Sequence, residues 1–198
     1  LPPQQKSREK LGLPLKSNIV LFFGQIKDVK GLDLLLEAMP TIMSKTPNIH
    51  LVIAGRPWKS DFSAYEAQIR ALGIEEHCTC HIRYIDTDDV PLYYSSANII
   101  VLPYRRIYQS GVVLMAMSYK TPVLVSDLPG MLEIVSNGCN GLTFKCGNHQ
   151  DLAAKVSEAV SDSDKLSNMG AAGYRHMESN YSWKKIGINT AKVYEALV

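Results

Sequence analysis

No apolar run in this 198-residue sequence approaches the roughly 18 residues that a membrane-spanning helix needs. A secretory signal is missing as well. The chain opens on Leu1 and not on a methionine, the mark expected of a piece of a longer protein. Charge of one sign is also scarce. The 21 Lys and Arg against 19 Asp and Glu leave a formal +2, which gives no reason to expect a nucleic acid or a strongly anionic membrane as partner. Cysteine is sparse: Cys78, Cys80, Cys139 and Cys146 form no Cys-x-x-Cys pair and fit no common zinc spacing. Free thiols in a reducing compartment are the favoured reading, with a Cys139–Cys146 disulfide left open. Two phosphate-binding signatures are absent too. There is no Gly-x-Gly-x-x-Gly, and no Gly-Lys-Ser/Thr after a glycine-rich turn, so neither a dinucleotide fingerprint nor a Walker A loop is present. The five histidines are scattered and none is assigned a role.

What remains is an ordinary globular composition, 46% hydrophobic and 20% charged, long enough for one α/β domain with a sizeable core. Ile19 to Phe23 is a short unbroken apolar run, as expected of a buried parallel strand, and Leu51 to Ala54, Thr79 to Ile82, Ile99 to Leu102, Pro122 to Val125 and Gly141 to Phe144 read as further strands. Helical spacing lies between them. Leu32, Leu35, Leu36, Met39, Ile42 and Met43 recur on one face, with Pro40 expected to kink that helix. Tyr65, Ile69 and Leu72 mark the next, closed by Gly73, and Val112 to Ser118 another. Asp151 is read as the cap of a helix through Val160, and the remainder as helix broken near Tyr181. Strand and helix alternating in this way predict a Rossmann-like, doubly wound parallel sheet of about six strands. Ligands of such sheets bind beyond the carboxyl ends of the strands, which directs attention to the loops after strands one, three, four and five.

Gly24-Gln25-Ile26-Lys27-Asp28-Val29-Lys30-Gly31 joins the first strand to the first helix, so backbone N–H groups and the Lys30 charge face the crevice as an anion site. Leu102 to Val112 is a second strand-to-helix turn, where Ser110 can cap the helix, Gly111 admits a ligand oxygen close to the backbone, and Arg105 and Arg106 add charge. Two helix N-termini converging on one crevice suit a diphosphate. The third stretch, Thr121 to Val135 followed by Asn137 to Leu142, carries a proline-glycine turn and the carboxylate of Glu133.

These pieces are, in order, Phe23-Gly24 with Lys30-Gly31, Leu51 to Gly55, Tyr93 to Asn98, Val101 to Pro103, Pro122-Val123, Gly130 with Glu133, and Asn140 to Leu142. Taken together they resemble the C-terminal, donor-binding domain of a GT-B fold glycosyltransferase of the large retaining family called group 1 (family 4). The resemblance implies a crevice for a nucleoside diphosphate sugar. Lys30 would contact the diphosphate, Gly111 and Val112 would offer it backbone amides, and the stretch Ile82-Arg83-Tyr84 would frame the base, largely through backbone groups. Gln25 stands where the family usually has arginine, Asn98 where it commonly has aspartate, and Ile107 and Met115 where many members carry two glutamates. Glu133 matches a family glutamate, with a structural role at a helix end as the equal alternative. The expected donor-binding set is therefore Gly24, Gln25, Lys30, Arg83, Tyr84, Arg105, Ser110, Gly111, Val112 and Glu133, with no catalytic residue and no metal ligand named.

The implied activity is transfer of a sugar, with retention, from a nucleoside diphosphate donor to an acceptor. No cofactor or metal is expected, since Asp86-Thr87-Asp88-Asp89 reads as a cap before Val90-Pro91 and not as a metal-binding Asp-x-Asp. Residues 1–16 read as a connecting segment, 17–180 as the nucleotide-sugar domain and 181–198 as a closing helix. That helix would pack towards an N-terminal acceptor domain, without which the isolated domain is expected to be inactive. Its apolar side, Ile186, Val193, Tyr194 and Leu197, would invite a dimer where uncovered. The family also suggests a cytoplasmic location, at the inner face of the membrane. Two other readings compete: a non-catalytic nucleotide or phosphosugar-binding module, and a flavodoxin-like signalling domain. The latter should show an acidic pocket after the first strand, where Gly24-Gln25 stands instead.

Overall fold

The computed structural model describes residues 1–59 and 61–197. In chain order the elements are α1 (Gln4–Leu11), β1 (Asn18–Phe23), α2 (Leu32–Lys45), β2 (Ile49–Ala54), α3 (Ser63–Ala71), β3 (Cys78–His81), α4 (Val90–Ser96) and β4 (Ile99–Leu102). There follow α5 (Gly111–Ser118), β5 (Val123–Ser126), α6 (Pro129–Leu132), β6 (Leu142–Phe144), α7 (His149–Val160), α8 (Ser163–Tyr181) and α9 (Trp183–Glu195). The six strands form one sheet in the order β3-β2-β1-β4-β5-β6, every neighbouring pair parallel. The Rossmann-like expectation holds.

Period-two alternation along each central strand feeds two cores. Val20, Phe22, Leu51, Ile53, Ile99 and Val101 point to the face covered by α2 and α7. Ile19, Leu21, Phe23, Val52, Ile100 and Leu102 point to the other face, against Tyr93 and Tyr94 of α4 and Val113 and Met117 of α5. Because both faces are covered, the strands carry no polar alternation, which is why they read as continuous apolar runs. α8 closes one edge, packing on α5 and α7. Among the described residues of α9 none is buried, and Trp183, Val193, Tyr194 and Leu197 are largely exposed. The reading of 181–198 as one closing helix extends to Val198, which lies outside the described residues.

α2 runs through Pro40 from Leu32 to Lys45, the ring taking away the N–H that would have bonded the Leu36 carbonyl. Three local expectations change. The cap of α7 is Asn148, whose side chain accepts from the Asp151 N–H at 2.9 Å. Asp151 instead accepts from the Lys145 N–H at 2.6 Å. Asp89 sits at the N-cap position of α4 but caps nothing, because its carboxylate pairs with Arg83 at 3.2 Å. Ser110 likewise sits at the N-cap of α5 with no side-chain cap bond.

Residues 1–16 contain more than a strand of linker. α1 packs on α4, and the buried Arg8 donates from Nε to the Ser96 carbonyl at 3.0 Å, from Nη1 to the Leu15 carbonyl at 2.7 Å and from Nη2 to Asn98 Oδ1 at 2.8 Å. All four cysteines are free thiols, and burial raises Cys78 to about 12 and Cys80 to about 11.

Candidate functional site

Starting from β1, the chain winds through β2 and β3 to one side, then returns to build β4, β5 and β6 on the other. β1 and β4 therefore flank the switch point, where the loops beyond their carboxyl ends diverge and leave a crevice. Those loops are pinned to one another. Gly31 is pressed so close to the Pro103 carbonyl that any Cβ would overlap it. The Arg105 N–H donates to the Val29 carbonyl at 2.8 Å. The Arg105 guanidinium grips both oxygens of Asp33, at 2.8 and 2.5 Å, and the Asp28 carbonyl at 2.9 Å. Burial alone would raise the Asp33 carboxyl, but the Arg105 pair outweighs it and holds the group below its usual range. On the other side, Gly55 at φ 144° lies against the Gly24 carbonyl, and Ile26 donates to the Arg56 carbonyl at 2.9 Å. The first loop is thus held from both flanks before any ligand arrives.

A cavity of about 260 Å³ opens there, lined by Gly24, Gln25, Arg56, Arg83, Tyr84 and Met115 above an apolar floor of Phe23, Ile85 and Val90. Its charged lining side chains, Arg56 and Arg83, are both cationic. Arg56 lies 6.0 Å from the Tyr84 ring centroid, so the ring, largely exposed, presents a flat face beside a guanidinium.

Lys30 supplies a half-buried charge. Its Nζ lies 5.3 Å from the centroid of the Tyr104 ring and 3.3 Å from where a Cβ on Gly24 would stand. Burial, together with Lys27, lowers its pKa to about 8. Val112, at the first turn of α5, is the other side chain near Gly24. The exposed Gly111 opens that helix, so its unpaired N–H groups and positive end come to the same place as the lysine. The arrangement can bind a multiply charged anion along the Lys30–Gly24–α5 line and a flat ring against Tyr84.

The structure brings together Gly24, Gln25, Lys30, Arg83, Tyr84, Gly111 and Val112. It does not bring in three others. Arg105 is occupied as the strap on Asp33. With Arg106, Ile107 and Tyr108 it borders a separate 490 Å³ cavity towards α6. Ser110 is buried, and its hydroxyl has no hydrogen-bond partner among the described residues. Glu133 is exposed at the end of α6, away from the crevice lining, with its backbone carbonyl 3.4 Å from the Tyr181 hydroxyl. Arg56 lines the crevice without having been expected there, and Met115, read as standing where many family members carry a glutamate, lines it too. Arg56 follows Gly55 at the carboxyl end of β2, the loop that the sequence reading passed over, and position alone was the signal available. Met115 is one turn into α5 on the Gly111 side, where an apolar residue reads as core.

The model of the family described as "Glycosyl transferases group 1" matches residues 3–176. The chain belongs to the group 1 glycosyltransferases. It is 29% identical over 203 residues to spore coat protein SA of Bacillus subtilis, covering 97% of this chain and 52% of that protein. Among solved structures it is similar to sucrose-phosphate synthase of Thermosynechococcus elongatus, with a TM-score of 0.88 and 26% identity over 98% of this chain and 49% of that one. The C-terminal domain of a group 1 family glycosyl transferase from Francisella tularensis shares the fold, at a TM-score of 0.81 and 22% identity, over 92% of this chain and 95% of that chain. An Anabaena protein solved in complex with UDP-glucose, HepE, shares it at 0.86 and 19%, over 97% of this chain and 52% of that one. The chain thus spans about half the length of the full-length proteins it matches, and its fold is that of the C-terminal half of a GT-B glycosyltransferase. Among the described residues no helix is long and apolar enough to cross a membrane.

Proposed function

We propose that the crevice holds the nucleoside diphosphate of a sugar donor, and that the chain is the donor half of a retaining glycosyltransferase. The observation that carries this reading is the convergence of the half-buried Lys30 ammonium, which pairs with no carboxylate among the described residues, the bare backbone of Gly24 and the N-terminus of α5 at the β1/β4 switch point. The UDP-glucose complex of a protein with the same fold supports it.

The chemistry follows from where charge develops. As the bond between the anomeric carbon and phosphate breaks, negative charge grows on the departing diphosphate. Lys30 and the α5 amides would face it, and one such fixed donor is typically worth about 3 kcal/mol in the barrier. In this reading those groups stabilise the leaving group without a metal ion. Tyr84 and Arg56 would hold the base by stacking, and Gln25 would donate hydrogen bonds to the diphosphate without adding charge. An acceptor domain of the same protein would complete the site, so this chain alone would bind donor without transferring it. Retention, a cytoplasmic location and work at the inner membrane face rest on the family resemblance.

Calorimetric titration with UDP, GDP and ADP, repeated on Lys30→Ala, tests the donor site. Binding of one nucleotide, lost in the variant, is the expected result. Silence with all three, in this chain and in the full-length protein, would remove the reading.

A further inference from the structure

The loop before α2 and the loop after β4 run against each other residue by residue. The Val29 carbonyl accepts from the Arg105 N–H at 2.8 Å, and Gly31 lies against the Pro103 carbonyl. Between those two pairs the Lys30 ammonium stands 5.3 Å from the centroid of the Tyr104 ring, within cation–π range. The ring is fixed there, because Tyr104 is 1% exposed and belongs to the same core cluster as Phe23 and Val113. Its phenol is no counter-ion. Burial pushes it up to about 12, with the neighbouring Ser110 hydroxyl a smaller opposing influence, so it stays neutral at pH 7. The phenol is no anchor either, since its oxygen has no hydrogen-bond partner among the described residues. The nearby carboxylates are engaged elsewhere: Asp33 is held by Arg105, and Asp28 lines a separate cavity with Asp61 and Tyr65. The first turn of α5 carries no acidic residue, Arg56 across the crevice is a cation, and Lys27 on the same loop acts against the Lys30 charge.

We infer that Tyr104 is a positioning residue of the anion site, its ring face seating the Lys30 ammonium beside Gly24 and leaving the N–H donors of that ammonium to the ligand. This rests on the donor-site reading and adds the group that makes its lysine effective. A carboxylate in the same place would neutralise the ammonium, take up its donors and compete with a diphosphate. The ring quadrupole attracts the cation without an acceptor lone pair, so the charge is held and stays available. Because Tyr104 follows Pro103, against which Gly31 is pressed, the backbone approach of the two loops also sets the lysine over the ring.

The test combines NMR titration of the Lys30 side chain with calorimetry at pH 6 and pH 8, using UDP, GDP and ADP, on the 198-residue chain and its variants. Tyr104→Leu removes the ring, so the ammonium loses its attraction and gives up its proton more readily. Its midpoint should move down by about one pH unit from the parent's value of about 8. At pH 8 the charged fraction would then drop from about one half to about one tenth and binding weaken about fivefold, while at pH 6 binding should hardly change. Tyr104→Phe, which brings the ring back without its unpaired hydroxyl, should restore both midpoint and binding. A ring-fluorinated phenylalanine at position 104 keeps the shape but drains charge from the ring face, so it should act as the leucine does and decides the matter should Tyr104→Leu fail to fold. A midpoint that stays in place without the ring, or binding weakened equally at pH 6 and pH 8, would overturn the inference and leave Lys30 as a donor contact. Silence with all three nucleotides would overturn the donor reading, and the Lys30 titration, which needs no ligand, would still decide the seat.

Discussion

The Nζ of Lys30 stands over the open face of Gly24, 3.3 Å from the point that a Cβ there would occupy. The ammonium is half-buried, faces the Tyr104 ring, and has no carboxylate partner among the described residues. A charge in such a place costs the fold energy unless an anion arrives. Lys30→Met should therefore do two opposite things. It should weaken nucleoside diphosphate binding by about a hundredfold, the loss of a fully engaged charge-assisted contact. It should also raise stability at pH 7 by about 1–3 kcal/mol, since the cost of charging a buried amine disappears. Urea unfolding and calorimetry on the same samples check both. A variant that loses binding and stability together would mean that Lys30 is a structural residue.

The same lysine sets a pH dependence with a definite sign. Burial lowers its pKa in the folded chain to about 8, while the unfolded chain keeps the ordinary value of 10.5. Between those two values the unfolded state binds more protons, so stability should rise as pH climbs from about 8 towards 10.5, with the full cost present at pH 7. Ligand binding runs the other way. A bound diphosphate favours the charged amine, so affinity should be flat below pH 8 and fall above it. At pH 8 binding should take up about half a proton, visible as a dependence of the calorimetric enthalpy on the ionisation heat of the buffer. Zero uptake would show that the diphosphate does not reach Lys30.

Much of the scaffold was legible because its signals are local. The runs at Ile19 to Phe23, Leu51 to Ala54 and Ile99 to Leu102 are apolar on both faces, and the sheet buries both. Gly73 and the break near Tyr181 fell where expected for the same reason. The site was legible only in part. Lys30, Gly24 and Gly111 stand on their own strand-to-helix turns, so order along the chain places them. Arg105 could not be assigned that way, because its partner Asp33 lies 72 residues earlier and the choice between ligand and carboxylate is a tertiary one. The caps failed for a related reason. Asp151, Asp89 and Ser110 are all chemically able to cap a helix, and what excluded them was a nearer partner or a buried rotamer that no spacing reveals.

Close backbone approach in the crevice gives a further prediction. Gly55 at φ 144° packs on the Gly24 carbonyl with no room for a Cβ, whereas Gly12 at φ 66° has open space around it. Gly12→Ala carries only the left-handed backbone penalty and should cost about 1 kcal/mol. Gly55→Ala carries backbone strain plus displacement of the phosphate-binding loop. It should cost about 3 kcal/mol or more, and impair nucleotide binding even where the protein still folds. Equal costs at the two positions would mean that the β1 and β2 loops do not press together as described.

The last prediction concerns the family departure at Asn98. Its Oδ1 accepts from the Ile19 N–H at 2.7 Å and from Arg8 Nη2 at 2.8 Å, tying α1 to β1. Arg8 is 4% exposed, and its other two bonds go to the Leu15 and Ser96 carbonyls, so its buried charge is met by neutral acceptors alone. Burial accordingly lowers the Arg8 pKa, although arginine stays protonated at any ordinary pH. Asn98→Asp keeps the geometry and both accepted bonds while supplying the missing counter-charge, so it should stabilise the chain by about 1–2 kcal/mol. The new carboxyl would have its pKa depressed by Arg8. Its contribution should therefore be complete at neutral pH and vanish as pH falls through the folded-state value, making the variant and the parent equally stable in acid. Asn98→Ala removes the acceptor and leaves both donors buried and unpaired, at a cost of about 2–4 kcal/mol. Thermal melts of the three proteins at pH 7 and pH 3 decide the matter. A destabilised Asn98→Asp at pH 7 would mean that desolvating the carboxylate outweighs its pairing with Arg8, and that the departure from the family's aspartate is the more stable choice for this fold.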